Sequence, residues 1–210
     1  MAAAQSPAWQ HLWSVLGLAE PGEEHVIDLI ARYGEAQRAY HTMTHIDECL
    51  AHFAEAVHLA QAAATVEAAI WFHDVIYDPK RSDNEEASAC WAAGLLQAAG
   101  ASATTSSTIQ ELIVDTAHRR PPRTADGALL VDIDLAILGA PPHRFDEYEA
   151  QIRHEYSWVP WPTFAQRRTA ILEQFLARTH IYQTAHFQER FEQTARQNLT
   201  RSIAQLTRTA

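Results

Sequence analysis

Long stretches with almost no glycine or proline constrain this chain more than any other feature. Its 210 residues include only 7 glycines and 9 prolines, and most of these fall between stretches of helical length. No segment shows sustained alternation of apolar and polar residues flanked by hairpin turns. The pattern therefore predicts an all-α protein. The expected helices span residues 6–18, 23–37, 43–62, 65–78, 83–99, 104–118, 128–138, 143–157, 162–178 and 185–207.

The chain is expected to form one domain over residues 1–210. It has no repeat period and no flexible linker, and the proline pairs at 121–122 and 141–142 are typical of tight corners. A chain of 210 residues is long enough to bury a core without disulfides. We therefore predict a single helical bundle of about nine or ten helices.

The charge balance argues against a nucleic acid duplex as a partner. The chain has 16 Lys and Arg residues against 26 Asp and Glu residues, a formal net charge of −10 at pH 7. An acidic surface of this kind repels a phosphate backbone.

Cysteine usage and the first residues predict a cytoplasmic protein. Cys49 and Cys90 lie in no metal-binding spacing, so both are expected to be reduced core residues. Polar residues interrupt the apolar stretch at 9–18, so neither a signal peptide nor a membrane span is expected there.

The segment 66–78, VEAAIWFHDVIYD, is the most informative element. As a helix it is apolar on nearly every side and must be buried all round. His73 and Asp74 interrupt it. An unpaired charge in that setting costs several kcal/mol or more, so the two side chains must be hydrogen-bonded, paired or bound to a ligand.

A second apolar segment, 128–139, carries Asp132 and Asp134. On a helix they lie about 200° apart, so only one of them can face a given ion and the other serves as a cap or support. Together with His45 and the His73–Asp74 pair, the sequence offers two imidazoles and two carboxylates. This donor set suits one divalent ion of manganese, iron, zinc, cobalt or nickel.

The order of these groups resembles the H…HD…D signature of the HD-domain superfamily of metal-dependent phosphohydrolases. Over nearly the whole chain the likeness is to the small bacterial proteins identified as predicted HD phosphohydrolases, and a more distant likeness is to cyclic-nucleotide phosphodiesterases. The landmarks are YHxxxHI at 40–46, FHDxxYD at 72–78, NExxSA at 84–89, DxDLxxLG at 132–139, IRxEY at 152–156 and IY at 181–182.

The resemblance implies an HD-type bundle and assigns roles to individual residues. It implies His45, His73, Asp74 and Asp134 as the metal ligands, with Asp134 preferred over Asp132. His41 matches a histidine that donates a proton to the leaving oxygen. Tyr77 departs from the phosphodiesterase pattern, where a histidine serves a second metal, so both one and two ions stay open.

Further residues near the motifs are expected to assist. His118, in LIVDTAH, is a candidate phosphate contact, and Asp78 is a candidate for positioning water. Lys80, Glu85 and Arg153 are candidates for binding the substrate. Lys80 and Arg153 place positive charge near the motif ends, which suits phosphate. The alternative for the basic residues is a solvated surface role.

The expected activity is hydrolysis of a small phosphoester, a nucleotide or a related phosphate, by metal-activated water. Two alternatives stay open: a metal-stabilised nucleotide-binding module without turnover, and an HD-fold di-iron oxygenase. A simpler alternative for His73 and Asp74 is a buried hydrogen bond that joins two helices. The amphipathic final helix is expected either to pack internally or to form a homodimer face.

Overall fold

The computed structural model describes residues 7–209, and the side chains of residues 9–208. This part of the chain contains ten α-helices and no strand, which confirms the all-α prediction. Residue 6, the expected start of the first helix, lies outside it. The helices are α1 (Pro7–Leu16), α2 (Glu23–Tyr33), α3 (Met43–Ala56), α4 (Ala63–Phe72), α5 (Asn84–Ala98), α6 (Ala103–Asp115), α7 (Ala125–Asp134), α8 (Pro142–Glu155), α9 (Trp161–Leu176) and α10 (Ala185–Thr209).

The chain divides into two compact units, with the boundary between Val131 and Asp132 inside α7. Among residues 7–209, no helix has the length and apolar character needed to cross a bilayer. Of the two cysteines, Cys49 is buried as expected, but Cys90 is exposed, so that part of the prediction is wrong. Cys90 lies on α5 next to buried Ala89 and points away from the core.

Helix α4 lies at the centre of the first unit. Its residues from Ala68 to Phe72 are at most 3% exposed, as the apolar pattern predicts. Helix α1 packs on its end through Trp9, whose ring lies edge-on to Trp71 at 5.2 Å and to Phe72 at 6.1 Å. Edge-to-face packing of large rings is directional, so this cluster fixes the position of the C-terminal end of α4 against α1.

Helix α4 is shorter than predicted. It ends at Phe72, and residues 73–78 form a buried turn instead of the rest of the expected helix over 65–78. Pro79 disfavours helical geometry at Asp78. Side chains from other segments form hydrogen bonds with the backbone groups of the turn.

A tight hairpin joins α5 and α6, the helix pair with the most extensive contact in the first unit. Gly100 turns the chain with φ of +91°. The amide of Ala101 donates to Leu96 O at 2.9 Å, and that of Gly100 donates to Gln97 O at 3.0 Å. These two bonds define a Schellman motif, in which glycine is the residue of least strain.

The second unit is built on α10, which packs against α9 and against a 3₁₀ segment, Leu135–Gly139. The predicted helix over 128–138 is therefore α-helical only as far as Asp134. Gly139 permits the close packing, because a β-carbon there would lie 2.6 Å from Cβ of Phe191. Asn198 also ties α10 to this segment by donating to Leu138 O at 2.9 Å.

Candidate metal centre

Two histidines and an aspartate converge in the first unit. His45 lies in the first turn of α3, and His73 immediately follows α4. The Nε2 atoms of the two rings are 3.1 Å apart. Oδ2 of Asp74 is 3.1 Å from His73 Nε2 and 3.6 Å from His45 Nε2. All three residues are buried, so the expectation that His73 and Asp74 must be paired is confirmed.

The hydrogen-bond pattern orients these groups as ligands. His73 Nδ1 is 2.9 Å from the carbonyl oxygen of Ile70, which can only accept, so this nitrogen carries a proton and donates it. In the neutral ring, Nε2 then directs its lone pair toward His45 and Asp74. With both rings neutral, the three converging atoms share at most one proton, on His45 Nε2. A cation among them would balance these lone pairs.

The three separations fit a shared metal ion. Bonds from nitrogen and oxygen ligands to ions such as zinc are about 2.0–2.2 Å long. The distances of 3.1, 3.1 and 3.6 Å place the three atoms on a circle of about 1.9 Å radius, so a point about 2.1 Å from each exists. Two imidazoles and one carboxylate suit a divalent transition metal.

The electrostatics keep Asp74 ionised. Burial alone would raise the pKa of this carboxyl. Positive charge on the neighbouring rings, and the hydrogen bond that His73 donates when its Nε2 is also protonated, outweigh burial and hold the pKa of Asp74 below its ordinary value. Asp74 is therefore an anion at neutral pH, which is the state a metal ligand requires.

His41 lies beside this centre. Helix α3 begins only at Met43, with Thr42 as its N-cap, so His41 precedes the helix and does not share a helical face with His45. The turn before α3 brings the ring in instead. It stacks on Tyr77 with 4.0 Å between ring centroids and lies 6.1 Å from the ring of His45.

Arg38 is a residue that the sequence patterns missed. Its side chain is 0% exposed. Nη1 donates to the carbonyl oxygens of His41 at 3.0 Å and Asp74 at 2.7 Å, and Nη2 donates to that of Val75 at 3.1 Å. No periodicity marks this arginine, because its partners in the turn are 36 and 37 residues away in sequence.

Two side chains of helix α5 form hydrogen bonds with the backbone of residues 76–78 in the turn. Ser88 Oγ accepts from the amide of Ile76 at 3.0 Å. The Asn84 side chain accepts from Asp78 N at 3.0 Å and donates to Asp78 O at 2.9 Å. The Asp78 carboxylate accepts from the amide of Lys80 at 2.9 Å, which closes a local turn, and Lys80 is exposed.

Glu85 and His118 occupy neighbouring segments of the first unit. Burial, followed by the charge of Asp74, raises the pKa of Glu85. Arg119 lies 3.6 Å from Glu85 and also donates to the carbonyl of Ser82, so it ties the end of α6 to the start of α5. His118 lies just past α6 with φ of 53°, a left-handed conformation that is uncommon outside glycine.

The second unit carries the remaining predicted residues. Asp132 Oδ1 accepts from Gln183 N at 2.7 Å, and Oδ2 accepts from Thr184 N at 2.7 Å, so this carboxylate caps the start of α10. Asp134 ends α7, and its role as fourth ligand stays a prediction. Arg153 donates to Tyr156 O at 2.8 Å and Val159 O at 3.0 Å, and thereby braces the corner between α8 and α9.

Comparison with known proteins adds no assignment. A scan against protein-family models, a search of curated proteins and a search of solved structures each gave no match. The geometry of the first unit and the motif resemblance are therefore the basis for a functional proposal.

Proposed function

We propose that this protein is a cytoplasmic, metal-dependent phosphohydrolase that acts on a small phosphoester, a nucleotide or a related phosphate. The observation that supports the proposal is the convergence of His45 Nε2, His73 Nε2 and Asp74 Oδ2 within 3.6 Å of one another. A structural His–Asp hydrogen bond needs only two of these groups. The second imidazole, that of His45, is directed at the same point and favours a metal.

The chain's own residues have distinct tasks in this proposal. His45, His73 and Asp74 hold the ion, which when bound lowers the pKa of a water molecule toward about 7 and screens a phosphoryl oxygen. His41, held by stacking on Tyr77, holds the proton that the leaving oxygen receives. Tyr77 is not a nitrogen ligand, which favours a single ion.

An assay panel tests the activity. Phosphomonoesters, cyclic nucleotides and nucleoside triphosphates are incubated with Mn²⁺, Co²⁺ or Zn²⁺, and phosphate release is measured. We expect metal-dependent release from the wild type and none from His73→Ala or Asp74→Ala, because each variant removes one of three convergent ligands. His58→Ala, at an exposed histidine of the same unit, is the matched control.

Three further measurements, of metal content, nucleotide binding and oxygen consumption, test the site and distinguish the alternative functions. Stoichiometric metal retained in both His73→Ala and Asp74→Ala would refute the site. Saturable nucleotide binding without product would indicate a binding module, and oxygen consumption by the iron-loaded protein would indicate an oxygenase.

A further inference from the structure

We infer that Arg38 is a positioning residue of the metal centre, which holds the turn carrying Asp74 and the segment carrying His41 in one fixed arrangement. The inference rests on the metal site proposed above and extends it to a residue outside every motif of the sequence. The role differs from that of a ligand, because the guanidinium contacts backbone oxygens and no ligand atom.

The contacts of Arg38 suit this role. Two of its acceptors are the carbonyl oxygens of Asp74 and His41, the proposed ligand and the proposed proton donor. A planar guanidinium presents several donors in a rigid fork, so one side chain fixes the relative positions of both segments. A lysine ammonium concentrates its donors at one point and cannot reproduce this span.

Arg38 is itself held in place. Its Nε donates to Glu35 Oε2 at 3.1 Å. Its guanidinium carbon lies 5.2 Å from the ring centroid of Tyr33 and 5.5 Å from that of Tyr77. A donor fixed before the metal arrives preserves ligand geometry, and loss of such outer partners typically costs 10- to 100-fold in metal affinity.

Co²⁺ binding measured by competition with a chromophoric chelator tests the inference. We expect Arg38→Lys and Arg38→Met to bind Co²⁺ about 10- to 100-fold more weakly than the wild type. We also expect the visible absorption bands of bound Co²⁺ to shift, because the position of Asp74 changes. A loss of general stability alone would not shift those bands.

Arg196 provides a matched control in the second unit. Its Nε donates to Glu192 at 2.7 Å, and its Nη atoms donate to three backbone carbonyls. Arg38 has the same kinds of partner, one glutamate and three backbone carbonyls. Arg196→Met should lower the thermal stability yet leave the Co²⁺ dissociation constant and spectrum unchanged.

A variant of Glu35 tests the inference even if the Arg38 variants fail to fold. Glu35 is 38% exposed, so Glu35→Ala is expected to fold while it loosens one anchor of Arg38 and weakens Co²⁺ binding. Wild-type affinity and spectrum in every folded variant of Arg38 and Glu35 would overturn the inference. In that case, loss of metal from His73→Ala would leave the proposed function in place while the role of Arg38 is rejected. A wild type that binds no Co²⁺ would overturn both.

Discussion

The turn after His73 and Asp74 depends on side chains for its backbone hydrogen bonds, and Asn84→Ala tests how much that support is worth. Asn84 is 9% exposed and satisfies both the amide and the carbonyl of Asp78. Each such bond contributes about 1 kcal/mol net, and a group left buried without a partner costs about 1–3 kcal/mol. We therefore expect the free energy of unfolding to fall by about 2–4 kcal/mol.

Urea denaturation followed by circular dichroism measures this loss. Asp83→Ala is the matched control, because Asp83 precedes Asn84 but its side chain makes no capping hydrogen bond to α5 and pairs with the exposed side chain of Arg81. It should leave stability unchanged within error. A loss below about 0.5 kcal/mol for Asn84→Ala, or an equal loss in the control, would show that water replaces these bonds and would refute the reasoning.

Two further predictions concern proton donation and the fourth ligand. His41→Ala should lower turnover about 10²- to 10⁴-fold while bound metal stays stoichiometric by elemental analysis, and an unchanged rate would remove His41 from the mechanism. Asp134→Asn should release the metal. Asp132→Asn should keep it but unfold at lower temperature by calorimetry, because its amide group would face a donor at the start of α10. The reverse pattern would identify Asp132 as the ligand.

Much of the fold could be predicted because the positions of glycine and proline and the periodicity of apolar residues report local backbone preferences. Gly100 marks the end of α5 because its left-handed conformation suits glycine. The apolar run of α4 predicts a central helix because only burial on every side accommodates it. Of the two carboxylates at 132 and 134, Asp132 accepts hydrogen bonds from the backbone just before α10, as expected of a supporting group, whereas the ligand role of Asp134 stays a prediction.

Other features could not be predicted, because an apolar pattern reports burial rather than backbone conformation. Val75 and Tyr77 are buried in a turn, yet each lies four residues after a buried residue, Trp71 and His73, which is also the spacing of a continued helix. Arg38 depends on partners brought together only by the tertiary fold. The exposure of Cys90 could not be predicted either, since a single cysteine between Ala89 and Trp91 carries little information about the side of the helix that it occupies.

The candidate metal centre lies at the C-terminal end of α4. His73 keeps helical φ and ψ of −60° and −33°, and its amide donates to Ala69 O at 2.9 Å, so the chain leaves helical geometry only after this residue. In the turn, His73 Nε2 and Asp74 Oδ2 come within 3.1 Å. Tyr33 accommodates the helix end by donating to the carbonyl of Trp71 at 2.9 Å. The negative end of the α4 dipole also favours a cation there, so the position of the helix end supports the proposed metal site.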